Sequence, residues 1–172
     1  LNLPGITPVD MEQLNGELVI KANTLDSNIP RCPQCDKPMH KHGRRTNVFA
    51  DTPMQAQPTK IEISRQRYRC RECKNLHVPE LPFLDEKRNA TKRLIESLNE
   101  RCLSKTFSSL AEDTGLAVNT IKGIATDFIG HIEANVRFET PTFMGIDEVM
   151  LAGDYRCVIT NLGTHTMYDM LQ

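Results

Sequence analysis

Cys32-Pro-Gln-Cys35 and Cys70-Arg-Glu-Cys73 decide how this chain is organised. Each is a CxxC knuckle, and 34 residues separate the two. Two thiolates from each knuckle complete one tetrahedral zinc site, which needs no further ligand to be a closed structural centre. Two disulfides, or a single thioredoxin-like redox pair, are the competing readings. Residues 1–10 show no basic segment followed by an apolar stretch, so no secretory leader is visible. An intracellular setting disfavours disulfides, and the pairing of two knuckles disfavours a lone redox motif. With four cysteines closing the site, His40, His42 and His77 read as surface residues or as neighbours of the metal ligands, and Cys102 and Cys157 as small core residues.

Between the knuckles, Gly43, Pro53 and Pro58 act as punctuation and leave room for two or three short strands. Lys60-Ile-Glu-Ile-Ser-Arg65 alternates as a strand does, and a strand ending at Tyr68 would deliver the second knuckle to the first. Charge singles out the same region. Residues 31–74 carry a net charge of +7, against −3 for residues 1–30 and −5 for residues 75–172, so the overall −1 conceals a basic module. A zinc tetrathiolate, formally −2, leaves that module basic. Arg65, Arg67, Arg69 and Arg71 recur at every second position, and an extended strand would project them from one face, with Arg44 and Arg45 nearby. Guanidinium groups so arranged suit phosphate contacts. A solvated edge strand that uses charge against aggregation is the plainer alternative.

Residues 75–89 contain Pro79 and Pro82 and no helical period, and read as a linker. Beyond it, Leu94, Ile95, Leu98 and Cys102 follow a helical stripe, with Thr91 or Asn89 available as N-cap. A second helix starts after Thr106 and runs out at Thr114-Gly115. A third presents Val118, Ile121, Ile124, Ala125, Phe128, Ile129 and Ile132 over about five turns. The spacing of Ala111, Gly115, Val118 and Ile121 is that of a helix-turn-helix, in which a small residue permits close approach and glycine ends the first helix. The exposed start of the third helix would then offer Asn119, Thr120 and Lys122 to a major groove. Any three-helix bundle shares such apolar spacing. Ala117 at the N-cap lacks the side-chain acceptor that Ser or Thr would supply, and Gly123 inside the helix costs about 1 kcal/mol relative to alanine.

After Pro141 the texture changes. Phe143 to Leu151 and Tyr155 to Leu162 read as a hairpin turning at Gly153-Asp154, and Thr166 to Leu171 begins a third strand. Such a sheet is too small to stand alone, so it reads as cut off, and Leu1 in place of an initiator methionine points to processing or truncation at the other end. Asp147 interrupts an apolar run between Ile146 and Val149, where a carboxylate needs a metal, a hydrogen-bond network or solvent. Asp147 and Glu148 point to opposite faces of a strand and cannot chelate one ion together.

The 172 residues, with 39% hydrophobic and 25% charged residues, describe a globular chain with no apolar run near the roughly 20 residues of a membrane span. The expected fold class is α+β in several modules. These are an N-terminal segment (1–30), a basic zinc-ribbon-like β module (31–76), a linker (77–90), a helix-turn-helix domain (91–139) and the opening strands of a further domain (140–172).

This order of parts resembles bacterial insertion-sequence transposases of the ISL-three type. The resemblance is carried by Leu3-Pro-Gly5, Arg31-Cys-Pro-Gln-Cys35, His42-Gly-Arg-Arg45, Arg67-Tyr-Arg-Cys-Arg-Glu-Cys73, Leu81-Pro-Phe83, the helix-turn-helix from Ala111 to Ile121, and Gly145-Ile-Asp-Glu148. It implies a zinc-ribbon head, a helix-turn-helix and a ribonuclease-H-like α/β core, here truncated, with a DDE carboxylate triad. Asp147 would be the first acid of that triad. The implied chemistry is DNA cutting and joining by phosphoryl transfer with two magnesium ions about 3.5–4 Å apart. The other two acids would lie beyond this sequence, since Asp154 and Asp169 do not match their positions, so the chain alone should bind zinc and DNA without catalysing.

The expected partner is double-stranded DNA at transposon ends, contacted by Arg44, Arg45, Arg65, Arg67, Arg69, Asn119, Thr120 and Lys122. No membrane is expected, a homodimer is left open, and the location implied is cytoplasmic, at the nucleoid when DNA-bound. The alternatives are a stand-alone zinc-binding helix-turn-helix transcriptional regulator and a zinc-stabilised interaction module without a nucleic-acid partner.

Overall fold

The computed structural model describes residues 3–25, 29–135 and 139–171. Leu1, Asp26 and Gln172, which entered the reading of the termini and of segment charge, lie outside them. Contacts divide the chain into two units, 1–129 and 130–172.

The first unit is built on a long antiparallel pair, β3 (Met39–Met54) and β4 (Gln57–Cys70). The short strands expected between the knuckles are therefore two long ones. Pro53 does not end β3, because it falls in a bulge between Asp51 and Met54, where the ladder needs no N–H from it. Gln55 and Ala56, both at positive φ (53° and 58°), make the tight turn whose twist suits a hairpin. Gly43, at φ +72°, sits in a second bulge between Lys41 and Arg44.

The N-terminal segment is also sheet. Strands β1 (Ile6–Leu14) and β2 (Glu17–Thr24) form a hairpin around Asn15-Gly16, both at positive φ, and β2 pairs in parallel with β4 from Leu18↔Thr59 to Asn23↔Ser64. The stretch read as a linker contributes three two-residue strands, β5 (Leu76–His77), β6 (Leu84–Asp85) and β7 (Ala90–Thr91). Its prolines do not free it, because Leu81 and Leu84 are buried with Ile6, Ala22, Phe49, Ile61 and Ile63. The sheet order is β1-β2-β4-β3-β7-β6, with β5 also on β4.

Three helices follow, at the positions their apolar period predicts: α1 (Lys92–Arg101), α2 (Phe107–Thr114) and α3 (Val118–Asn135). Thr91 caps α1 by accepting from the Leu94 N–H, and Thr106 caps α2 by accepting from that of Ser109. Leu94, Leu98, Leu110, Ile121 and Ile124 are buried together with Ala50 of β3 and Ala90 of β7, so the helices share a core with the sheet. Gly115 ends α2 at φ +70°, and a Cβ there would come within 3.2 Å of both Glu17 and Pro58. The zinc-ribbon-like module and the helices, apart from the end of α3, lie within the unit 1–129.

A buried carboxylate ties helix to sheet. Asp51 of β3 is wholly buried, accepts a 2.7 Å hydrogen bond from the Thr91 hydroxyl and pairs with Arg93 through Nε and Nη2. The Asp51 carboxylate, both as hydrogen-bond acceptor and as charge, raises the pKa of Arg93 against the opposing effect of burial. Thr91 therefore holds Asp51 and caps α1 at once.

The second unit contains the end of α3 and a three-stranded sheet ordered β10-β9-β8, of β8 (Met144–Leu151), β9 (Asp154–Asn161) and β10 (Thr166–Leu171). No residue described in these three strands is buried. Its first hairpin turns at Ala152-Gly153 (φ 53° and 91°), one residue earlier than read from sequence. Gly145 is crowded: a Cβ there would fall 2.6 Å from the Thr160 hydroxyl, so a side chain would have to displace Thr160.

Among the described residues no helix is long and apolar enough to cross a membrane.

Arg93→Ala is expected to cost about 2–3 kcal/mol by urea denaturation, below the upper values for broken buried pairs because the Arg93 side chain is 38% exposed. A surface change such as Val9→Ala, at a residue 64% exposed, should stay within about 0.5 kcal/mol.

Candidate zinc centre and nucleic-acid surface

The β3–β4 ladder places the knuckles. Met39 pairs with Cys70, so the end of β4 returns beside the start of β3 and sets Cys70 and Cys73 against Cys32 and Cys35. Sγ separations are 3.5 Å for Cys32–Cys73, 3.5 Å for Cys35–Cys70 and 3.6 Å for Cys35–Cys73, and all four sulfurs lie within 4.8 Å of one another. Sulfurs held 2.3 Å from a tetrahedral zinc stand about 3.8 Å apart, so the tetrad fits that ion. None of the four is in a disulfide. Cys32, Cys70 and Met39 are buried against Tyr68.

Backbone N–H groups turn inward on the sulfurs. Burial disfavours the Cys32 thiolate, yet N–H groups of Gln34 and Cys35, with neighbouring thiols, bring its pKa down to about 6. For Cys35 the Lys37 N–H works downward, but burial and the three facing sulfurs push it to about 12. Cys70 is lowered, chiefly by the Cys73 N–H against burial. Cys73 is raised: burial and the Cys32 and Cys70 sulfurs outweigh the Asn75 N–H. Four thiols so close compete for ionisation, and a divalent cation at their centre removes the conflict.

The basic strand leads away from this centre. Residues directly opposite in an antiparallel pair share a face, so His40 joins Arg69, and Arg45 joins Arg65. Arg67 lies between them, its Nη2 3.5 Å from where a Cβ on Gly43 would stand. The five arginines read from sequence as one set divide into three groups. Arg45, Arg67 and Arg69 share a face, with Arg45 exposed and the other two half-buried. Arg65 is on that face by alternation but only 4% exposed, donating to the Pro79 carbonyl at 2.8 Å and pairing with Glu86 at 2.9 Å. Arg44 is on the other face, with its guanidinium on Ser64 and Thr24. Arg71 lies past the end of β4, exposed in the knuckle. Among the described residues, the buried nitrogens Nδ1 of His40 and Nε of Arg65, Arg67 and Arg69 have no hydrogen-bond partner. His40 and His42 meet edge to face, with ring centres 6.3 Å apart, and neither belongs to the thiol tetrad.

At the helices, Gly115 donates to the Ala111 carbonyl at 2.8 Å and α3 begins at Val118, with the Ala117 carbonyl accepting from Thr120 and Ile121. Ala117 is thus the capping position that the sequence marked. Ile121, Ile124 and Ala125 are buried, while Asn119 and Lys122 are exposed and Thr120 is half-buried. Thr120 lines an open cleft with Gly123 and Asp127 of α3 and with Lys87, Arg88 and Asn89 of the preceding turn. These turn residues were missed because their segment reads as a linker; the signal available was the basic pair Lys87-Arg88 directly before a capped helix.

Asp147, on the edge strand β8, is exposed, and its carboxylate accepts from the Glu148 N–H at 2.8 Å. Its register partner is Val158, itself opposite Met170, whereas Asp169 is opposite Ile159 and therefore on the other face. Among the described residues the cysteine tetrad is the only group of three or more His, Cys, Asp or Glu side chains spaced to hold a metal ion. Asp147 alone does not fit a magnesium pair.

A family model described as the zinc-finger of transposase IS204/IS1001/IS1096/IS1165 matches residues 29–73. A second, the helix-turn-helix domain of transposase family ISL3, matches residues 79–129. Neither a curated protein nor a solved structure matches the chain.

The tetrad accounts for a structural zinc. Metal analysis of protein purified without chelator should find one zinc per chain, and Cys70→Ser should lose it together with the cooperative unfolding transition; metal-free protein that melts unchanged would contradict this.

Proposed function

The chain belongs to the ISL3 family of transposases and carries DNA-binding domains of that family, and we propose that these domains bind transposon-end DNA at two places, the zinc-bearing hairpin and the start of α3. The observation that carries the proposal is the closure of both knuckles into one thiol tetrad at the end of the arginine-bearing strand, in the same unit as the α2–α3 pair.

On this reading α2 and α3 are a helix-turn-helix. Asn119 and Lys122 meet base edges, and Thr120 supports them from the edge of the cleft. Arg45, Arg67 and Arg69 contact phosphates, because the paired strands β3 and β4 carry them on one face of a rigid ribbon. Arg65 and Arg44 hold the fold together rather than touching DNA: Nη2 of Arg65 donates to the Pro79 carbonyl and its Nη1 pairs with Glu86, while the Arg44 guanidinium donates to Ser64 and Thr24. Zinc fixes the end of the hairpin and supplies no chemistry of its own.

The three strands β8–β10 are proposed as the opening of a ribonuclease-H-like core, with Asp147 its first carboxylate. That assignment rests on the resemblance around Gly145-Ile-Asp-Glu148. The crowding at Gly145 adds a steric reason for glycine at this point of the strand. Strand transfer by metal-assisted phosphoryl chemistry is the activity the family implies, and no step of it is assigned to the residues described.

Binding to duplex DNA should weaken with salt, with a log–log slope of about −0.9 per phosphate contacted. Arg67→Gln and Arg69→Gln should each lower that slope by about one, whereas Arg65→Gln should lower the melting temperature and leave the slope unchanged. Asn119→Ala should relax sequence preference by about 1–3 kcal/mol at one position. Affinity indifferent to salt would contradict the proposal.

A further inference from the structure

Gly123 occupies a costly position for no internal reason. It lies inside α3, where glycine is about 1 kcal/mol worse than alanine. Its backbone is not among the positive-φ glycines, and a Cβ built on it would meet nothing within 4 Å. Neither backbone geometry nor packing among the described residues requires a missing side chain.

What surrounds Gly123 supplies the reason. It is exposed in the middle of the stripe Asn119, Lys122, Gly123, Thr126, which has the i, i+3, i+4, i+7 spacing of one helix face, opposite the buried Ile121, Ile124 and Ala125. It also forms part of the floor of the open cleft, about 350 Å³, between α3 and the turn carrying Lys87, Arg88 and Asn89. Arg88 reaches across this cleft to pair with Asp127, while also holding Asp85 at 3.0 Å. That pairing fixes the turn beside the helix and engages the carboxylate of α3 that would otherwise repel an anion. Lys87, which lines the cleft, and Lys122, next to Gly123 in sequence, are both exposed.

We infer that this cleft seats the sugar–phosphate backbone of one DNA strand, with Gly123 the point of closest approach and Lys87 a phosphate contact. The inference rests on the DNA-binding reading of α3 and adds a second wall to it. The turn 86–89 and the helix together grip one edge of the groove that the Asn119–Lys122 face enters. A methyl or larger group at position 123 costs nothing in the free protein and collides with the strand in the complex.

The test separates folding from binding. With a mixed-sequence duplex, Gly123→Ala should melt at or above the wild-type temperature yet bind several-fold more weakly. Gly123→Leu should lose more than tenfold in affinity. Gly130→Ala, at the other open glycine of α3, is the matched control and should bind as wild type does. Lys87→Gln should lower the salt slope by about one. Wild-type affinity within twofold for both Gly123 variants overturns the inference, as does an unaltered slope for Lys87→Gln. Should Gly123→Leu melt lower, Gly123→Ala alone decides. Failure of the zinc-loaded wild-type chain to bind any duplex overturns the DNA reading itself, which is a different result from tight wild-type binding with indifferent Gly123 variants.

Discussion

Antiparallel pairing of β3 with β4 is the constraint on which the first unit depends. At one end the ladder sets Met39 against Cys70 and so brings two distant knuckles into one tetrad. At the other it presents Ala50 and Asp51 to the helices. Along its free edge β4 accepts β2. A slip of one residue would reverse the face of every side chain, carrying Ile61 and Ile63 out of the core they share with Phe49 and taking Arg65, Arg67 and Arg69, which lie on the same face of β4, to the other side of the sheet. The two bulges let the ribbon bend, one where Arg67 passes over Gly43, the other where Pro53 has no N–H to give the ladder.

The helices depend on that ladder through a single buried charge. Asp51 is tolerable in the interior because Thr91 and Arg93 both donate to it, and those residues are the cap and the first turn of α1. Position and orientation of α1 are therefore set by hydrogen-bond satisfaction as well as by Leu94 and Leu98. The second joint is the short side of the α2–α3 turn, where Gly115 packs on Glu17 and Pro58. Surfaces that would meet DNA are thus carried on one unit.

Much of this was legible in the sequence, where the chemistry is local. Thiolate spacing for zinc has few alternatives, and Thr91, Thr106 and Gly115 mark helix ends through bonds made within three or four residues. Long-range consequences were not legible. Pro53, Pro79 and Pro82 looked like breaks, but a bulge absorbs the first and the buried Leu81 and Leu84 anchor the segment holding the other two. Asn15-Gly16 was the missed hairpin signal. The fate of Arg65 could not be read from its neighbours, because its partners, Pro79 and Glu86, are brought to it by the fold.

Parallel pairing of β2 with β4 bears on the order in which the chain assembles. Leu18 finds its partner at Thr59, so the β1–β2 hairpin is synthesised before the strand it joins and has none to pair with until β4 exists. The β3–β4 turn closes over two residues, and closing short loops is entropically cheap, whereas the β2–β4 junction spans the whole first knuckle and β3. The local ribbon is the natural nucleus and β2 a late arrival, which leaves its apolar Leu18, Ile20 and Ala22 exposed during elongation. A zinc bound at the knuckles would shorten the loop between β2 and β4 and so lower the entropic cost of burying that edge.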